Sequence, residues 1–232
     1  MGPDHSPSHP PVKDITVQTI RVAIVDDVPE IREVLNLYVE SLSGLELVGE
    51  AINGAEALEL VARTEPDVVL MDLQMPVLDG IEATVALRES YPELTVIALT
   101  TFVDHYYVTG ALRAGVHGYL LKNSSPSQVD TAIRAALEGR TLIDRRALAS
   151  LVASMNAADY PQGDPWAQLS EDEQSIVKLV CWGKTDQEIA DQLDSSLPSM
   201  KRQLNSIYNT LGINTRLQIL VEAGRYNFPI FD

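Results

Sequence analysis

From about residue 20 the chain alternates short apolar runs with stretches in which apolar residues recur every three or four positions. The runs are RVAIV (21–25), LELVGEA (45–51), DVVLM (67–71), LTVIALT (94–100) and HGYLL (117–121). Several are nearly continuous, as expected of strands buried on both faces of a parallel sheet. Between the first two, Ile31, Val34, Leu35, Tyr38, Val39 and Leu42 share one face of a helix over 28–43. Further helices are expected near 54–64, 80–90 and 103–115. A fifth opens at SSPSQ, where Ser125 caps, Pro126 suits the first helical position and Gln128 completes a capping box. Five β–α units in succession predict a doubly wound α/β domain with one parallel sheet.

The pattern then changes. Residues 144–157 allow a helix with Leu148, Leu151, Val152 and Met155 on one side, and DYPQGDPW (159–166) reads as a linker. Beyond it strand patterns cease. Ser170 with Glu173 and Thr185 with Glu188 form two capping boxes, a third helix starts at Ser196 and a fourth near Asn214. A small all-α module of about four helices follows the α/β domain. The organisation expected is a disordered tail (1–19), the α/β domain (20–142), a helical or flexible linker (143–168) and the helical module (169–232).

The polar residues that end the apolar runs bring chemistry into this picture. Asp26 and Asp27 follow the first strand, Asp72 the third and Lys122 the fifth, while Thr100 ends the fourth. In an open α/β sheet ligands sit in the crevice at the carboxyl ends of the strands, where the strand order reverses. Singly, the acids could cap a helix or start a turn, and Lys122 could be solvated. Together they converge if strands one and three are neighbours. Three close carboxylates repel, and a divalent cation with oxygen ligands, Mg²⁺ above all, removes the conflict. The site suits an anion of the phosphoryl type.

Residues 20–140 resemble the receiver domain of bacterial two-component response regulators, a flavodoxin-like fold. The family's acid pair matches Asp26 and Asp27, and its phospho-accepting aspartate matches Asp72 in LMDLQMPVLDG. Its switch hydroxyl matches Thr100, its switch aromatic Tyr119, and its lysine Lys122 in GYLLK. The resemblance implies phosphoryl transfer from a sensor histidine kinase to Asp72. It also implies Mg²⁺ held by Asp27, Asp72 and the Gln74 carbonyl, with Asp26 acting through water. Movement of Thr100 would then let Tyr119 turn inward. Asn123 stands where many receivers have proline, so a cis peptide after Lys122 is not expected.

LSEDEQSIVKLVCWGKTDQEIADQLDSSLPSMKRQLNSIYNTLGINTR (169–216) carries a helix-turn-helix pattern. Ile189, Ala190 and Leu193 would pack its second helix. Met200, Leu204, Ile207 and Leu211 line one face of its third, with Lys201, Arg202, Asn205, Tyr208 and Asn209 opposite. The stretch resembles a LuxR-type output domain, so the whole chain resembles a response regulator of the NarL/FixJ subgroup. That implies a phosphorylation-driven homodimer regulating transcription, a signalling protein and not an enzyme, with Lys201, Arg202 and Asn205 as DNA contacts.

Charge complicates the second half of that reading. The chain carries a net charge of −16; residues 20–142 hold 19 acids against 8 bases, and residues 164–232 hold 10 against 6. An acidic module is unfavourable for phosphate contacts. Asp186 and Asp172 stand where the family commonly has asparagine and arginine, and Pro198 lies in the recognition helix's first turn. A receiver whose helical module binds protein instead of DNA remains the alternative. A metal-dependent phosphatase would want an acid two residues beyond Asp72, where Gln74 stands. The single cysteine, Cys181, and the lack of any apolar run long enough to span a bilayer fit a cytoplasmic protein. The four histidines show no metal-ligand spacing.

Overall fold

The computed structural model describes residues 19–101, 104–154, 164–226 and 228–229, with side chains described for all of these except 151–154 and 225. Residues 1–18 of the expected tail and residues 155–163 of the expected linker therefore lie outside the described residues.

Six parallel strands form one sheet in the order β2-β1-β3-β4-β5-β6. They are β1 (Ile20–Val25), β2 (Leu45–Ala51), β3 (Val68–Met71), β4 (Thr95–Thr100), β5 (Gly118–Leu121) and β6 (Leu142–Ile143). The helices between them are α1 (Pro29–Ser41), α2 (Gly54–Thr64), α3 (Gly80–Ser90), α4 (His105–Ala114) and α5 (Pro126–Leu137). Strand side chains alternate between two apolar layers. Ala23, Val25, Val69 and Met71 pack with Ala57, Leu60, Ala83, Leu87 and Ala111 of α2, α3 and α4. Val22, Ile24, Val68 and Leu70 pack with Leu35, Val39, Val129 and Ile133 of α1 and α5. Burial on both faces is why these runs carry no polar alternation. On α1, Val34 is exposed while Leu35 and Val39 carry the contact, a narrower stripe than the periodicity predicted.

β6 was not legible in the sequence, because two residues carry no periodicity. It pairs with β5 through Gly118↔Leu142 and Tyr119↔Ile143. The helix after it, α6 (Arg145–Ser154), falls where one was expected but turns differently. Ala147 is fully buried against α4, whereas Leu148 is exposed. The side chains of Leu151 and Val152, and all of Met155, lie outside the described residues.

The helical module contains α7 (Glu171–Cys181), α8 (Asp186–Gln192), α9 (Leu197–Leu211) and α10 (Arg216–Arg225). Both expected capping boxes form, and a third one, Thr215 with Gln218, opens α10. A 3-10 turn at Pro165–Gln168 lies inside the stretch read as linker. Its Trp166 is buried in the module's core, with its ring centroid 4.7 Å from that of Phe228. On α9 Met200, Leu204 and Ile207 are buried as their spacing predicts.

Gly80 fixes how closely α3 approaches the end of β3. Asp79 caps α3, the Gly80 amide donates to the Leu73 carbonyl at 3.0 Å, and a Cβ at 80 would fall on the Asp72 carbonyl oxygen. The obstacle is backbone, so it cannot swing aside. Gly80→Ala is expected to destabilise the domain by about 3 kcal/mol, at the upper end for overpacking. It should also move the Asp72 backbone amide resonance. Urea unfolding and an amide NMR spectrum check both.

Candidate functional site

β1 leads to β2 on one side and β3 lies on the other, so the strand order reverses between β1 and β3. That adjacency brings the residues following the two strands together. Asp26, Asp27 and Asp72 each place a carboxylate oxygen within 4.8 Å of the other two. Asp26 and Asp72 are buried and Asp27 is exposed. No other group of three histidine, cysteine or acidic residues with this closeness occurs among the described residues. Asp26 does not cap α1: the N-cap is Val28, without a side-chain cap, and Asp26 Oδ1 accepts from the Val28 amide at 3.0 Å.

Lys122 reaches in from the end of β5. Its Nζ donates to Asp26 Oδ2 at 2.6 Å and to Asp72 Oδ2 at 2.8 Å. The second Asp72 oxygen, Oδ1, accepts from the Leu73 amide at 2.7 Å. Burial raises the Asp72 pKa above the usual carboxylate value, although the hydrogen bond and charge of Lys122 pull it the other way. For Lys122 burial acts to lower the pKa, and the hydrogen bonds to Asp26 and Asp72 outweigh it, leaving the ammonium held charged. Two buried acids share one base, and Asp27 adds a further negative charge at the mouth. Hard oxygen donors with excess negative charge fit a small divalent cation.

Thr100 and Tyr119 are both fully buried. Burial, followed by the charges of Asp72 and Asp104, pushes the Tyr119 phenol well up. Tyr119 points inward in this structure, within the apolar cluster that also holds Ala147 and Val108. Gln74 donates through its side chain to the Tyr107 hydroxyl of α4, and the two line a groove that opens beside Asp27. No cis peptide bond occurs among the described residues, so Lys122–Asn123 is trans.

A matching family model, the response regulator receiver domain, covers residues 22–134. The response regulator protein VraR of Staphylococcus aureus is 31% identical over 209 residues, covering 90% of this chain and 98% of VraR. The chain belongs to the two-component response regulators of the LuxR type. Among solved structures, a LuxR-family response regulator from an Aurantimonas species is 33% identical with a TM-score of 0.55. The match covers 58% of the regulator and 96% of that chain. ChrA, the response regulator of a heme-sensing two-component system, is 29% identical with a TM-score of 0.52, covering 91% and 99%.

The regulator's second site of interest lies between its domains. The sequence missed it, since nothing in a linear pattern says which face of α9 meets the receiver. Lys201, Asn205 and Tyr208 of α9 line a cleft of about 170 Å³ with Arg88, Glu93 and His117 of the receiver. Arg202 does not line it. Arg88 Nη2 donates to the Asn214 carbonyl at 2.9 Å, and Gln218 Nε2 to the Arg113 carbonyl at 3.1 Å. Leu217 of α10 is buried in the receiver's own apolar cluster. Asp186, whose acidity counted against a nucleic-acid surface, is mostly buried and paired with Arg216 at 2.7 Å. Burial raises its pKa despite Arg216 and Lys201.

The geometry around Asp72 has a titratable signature. Lys122 is the main influence lowering the Asp72 pKa, so Lys122→Met should raise it further above its already raised native position. A carboxyl carbon NMR titration of wild type and Lys122→Met checks the order. As the folded-state pKa is raised, Asp72's favourable contribution to stability is fully present below its unfolded pKa and is lost as pH rises through the folded value.

Proposed function

We propose that the regulator accepts a phosphoryl group on Asp72 from a sensor histidine kinase and thereby controls dimerisation and sequence-specific DNA binding, to regulate transcription in the cytoplasm. The observation that carries this reading is the convergence of Asp26, Asp27 and Asp72 with Lys122 where the strand order reverses. One Asp72 carboxylate oxygen attacks phosphorus, the N–P bond of the kinase phosphohistidine breaks, and the imidazole nitrogen keeps the bonding pair and takes a proton from solvent. Such a transfer needs positioning and charge neutralisation more than covalent chemistry from other groups. Asp27, Asp72 and the Gln74 carbonyl would hold Mg²⁺, with Asp26 acting through water, and the ion would supply positive charge to offset the phosphoryl group. Lys122 and Thr100 take the remaining phosphoryl oxygens, and Tyr119 follows Thr100.

The receiver (20–142) acts on the output module (169–232) across the segment 143–168. Lys201, Arg202 and Asn205 are the DNA contacts. With Lys201 and Asn205 lining the interdomain cleft, a duplex cannot seat α9 in its major groove until the domains part. Asp186 is no bar to this reading, because Arg216 neutralises it inside the module. Dimerisation on phosphorylation adds the second half-site through effective concentration.

Asp72→Asn is expected to take no label from acetyl phosphate with Mg²⁺, while Asp27→Ala keeps the fold and loses the rise in melting temperature that Mg²⁺ gives wild type. A phosphate-affinity gel and a thermal melt read these. Labelling of Asp72→Asn at the wild-type level would overturn the phospho-acceptor.

For the output, phosphorylated wild type and Lys201→Ala are compared in a salt titration of DNA binding. A base contact costs roughly 1–3 kcal/mol on truncation, whereas a phosphate contact reduces the salt slope by about one. If phosphorylated wild type binds no genomic fragment at low salt, the module docks on protein instead.

A further inference from the structure

We infer that Asn123 and Arg146 form a latch that ties the phosphorylation pocket to α6, and that this latch carries the signal out of the receiver; the inference rests on Asp72 as the phospho-acceptor. Arg146 Nη2 donates to Asn123 Oδ1 at 3.0 Å. The same guanidinium grips Asp144, with Nε at 3.2 Å from Oδ1 and Nη2 at 3.4 Å from Oδ2. Asp144 Oδ1 in turn accepts from the Arg146 amide at 2.8 Å, at the start of α6. The Asp144 amide donates to the Tyr119 carbonyl at 2.8 Å, continuing the β5–β6 pairing. The beginning of α6 is therefore fastened twice, once through main chain to Tyr119 of β5 and once to the Asn123 side chain in the turn that follows β5.

Asn123 is the residue directly after Lys122, and the two lie in a turn closed by the Ser124 amide on the Leu121 carbonyl at 2.8 Å. Lys122 Nζ sits between Asp26 and Asp72. A phosphoryl group on Asp72 places new anionic oxygens beside that ammonium and draws it from its present position. The Lys122 amide is held by the Thr100 carbonyl at 2.9 Å, so the strain passes forward into the turn, to Asn123.

Release of Arg146 has a defined effect further on. Ala147 of α6 and Leu217 of α10 are buried in one apolar cluster with Val108, Ala111 and Leu112 of α4. Freeing the start of α6 removes one of the supports of the helix on which α10 docks. The bond is exposed, so it is individually weak. Weakness suits a switch, which has to shift a population and not unfold a domain. Arginine at a helix start also has an ordinary surface role, and the test separates the two.

The experiment is hydrogen exchange on the full chain, read in peptides covering 144–154, with and without acetyl phosphate and Mg²⁺; intact mass confirms loading. In wild type, loading should speed exchange there. Arg146→Ala and Asn123→Ala should exchange roughly threefold to tenfold faster without loading, the range for a charge-assisted bond discounted for exposure, and respond less to loading. Asn123→Asp keeps the acceptor and should behave as wild type, which a merely structural role of the side-chain amide would not give. All three variants should load as wild type does. Loaded wild type with unchanged exchange at 144–154 would overturn the latch, as would Asn123→Asp matching Asn123→Ala. If wild type fails to load, the phospho-acceptor reading fails; unloaded Arg146→Ala no faster than wild type overturns the latch separately.

Discussion

One ammonium held by two buried carboxylates organises the receiver. Lys122, Asp26 and Asp72 have side chains only 9%, 2% and 5% exposed, and they come from the ends of three different strands. Breaking a buried pair by removing one partner typically costs about 3–5 kcal/mol, because the other charge stays behind without compensation. The contact therefore ties together the ends of β1, β3 and β5, although β4 separates β5 from β3 in the sheet. It also leaves a surplus of negative charge at the mouth. A site that is closed as protein and unbalanced as charge is prepared for an added cation and an added anion together.

Much of this was legible because burial on both faces writes itself into a strand as an unbroken apolar run. Asp72 directly follows VVLM, and it was legible as a site residue because polar groups stand at the ends of the other apolar runs as well. The capping boxes at Ser125, Ser170 and Thr185 were equally readable, being local hydrogen bonds between residues three apart. What escaped the sequence is non-local or too short to repeat. β6 has two residues, and its pairing is decided by where the chain lands after α5. Trp166 looked like part of a linker because proline and glycine surround it, yet its ring closes the module's core against Phe228.

Charge was legible as a sum but not in its placement. The summed acidity of the helical module argued against nucleic acid, and Asp186 was counted with it. In the fold Asp186 is spent on Arg216, and both are turned inward. The pair takes one acid and one base inward together, so it changes where the charges of the module lie and leaves their balance as it was. The chemistry of α9 is set by which side chains remain at its surface, Lys201, Arg202 and Asn205 among them.

The turn after α5 carries a last consequence. Gly139 has a φ of +73°, and a Cβ there would lie 2.5 Å from Asp186 Oδ1 across the domain boundary. A glycine that closes a receiver helix is thus also a surface against which the output module rests. The two halves are not interchangeable cassettes. In a chimaera joining this output to another receiver, a side chain at that turn would be strained by the positive φ. It would also have to displace the Asp186 carboxylate from its place beside Arg216, so the glycine belongs to the interface as much as to the helix it closes.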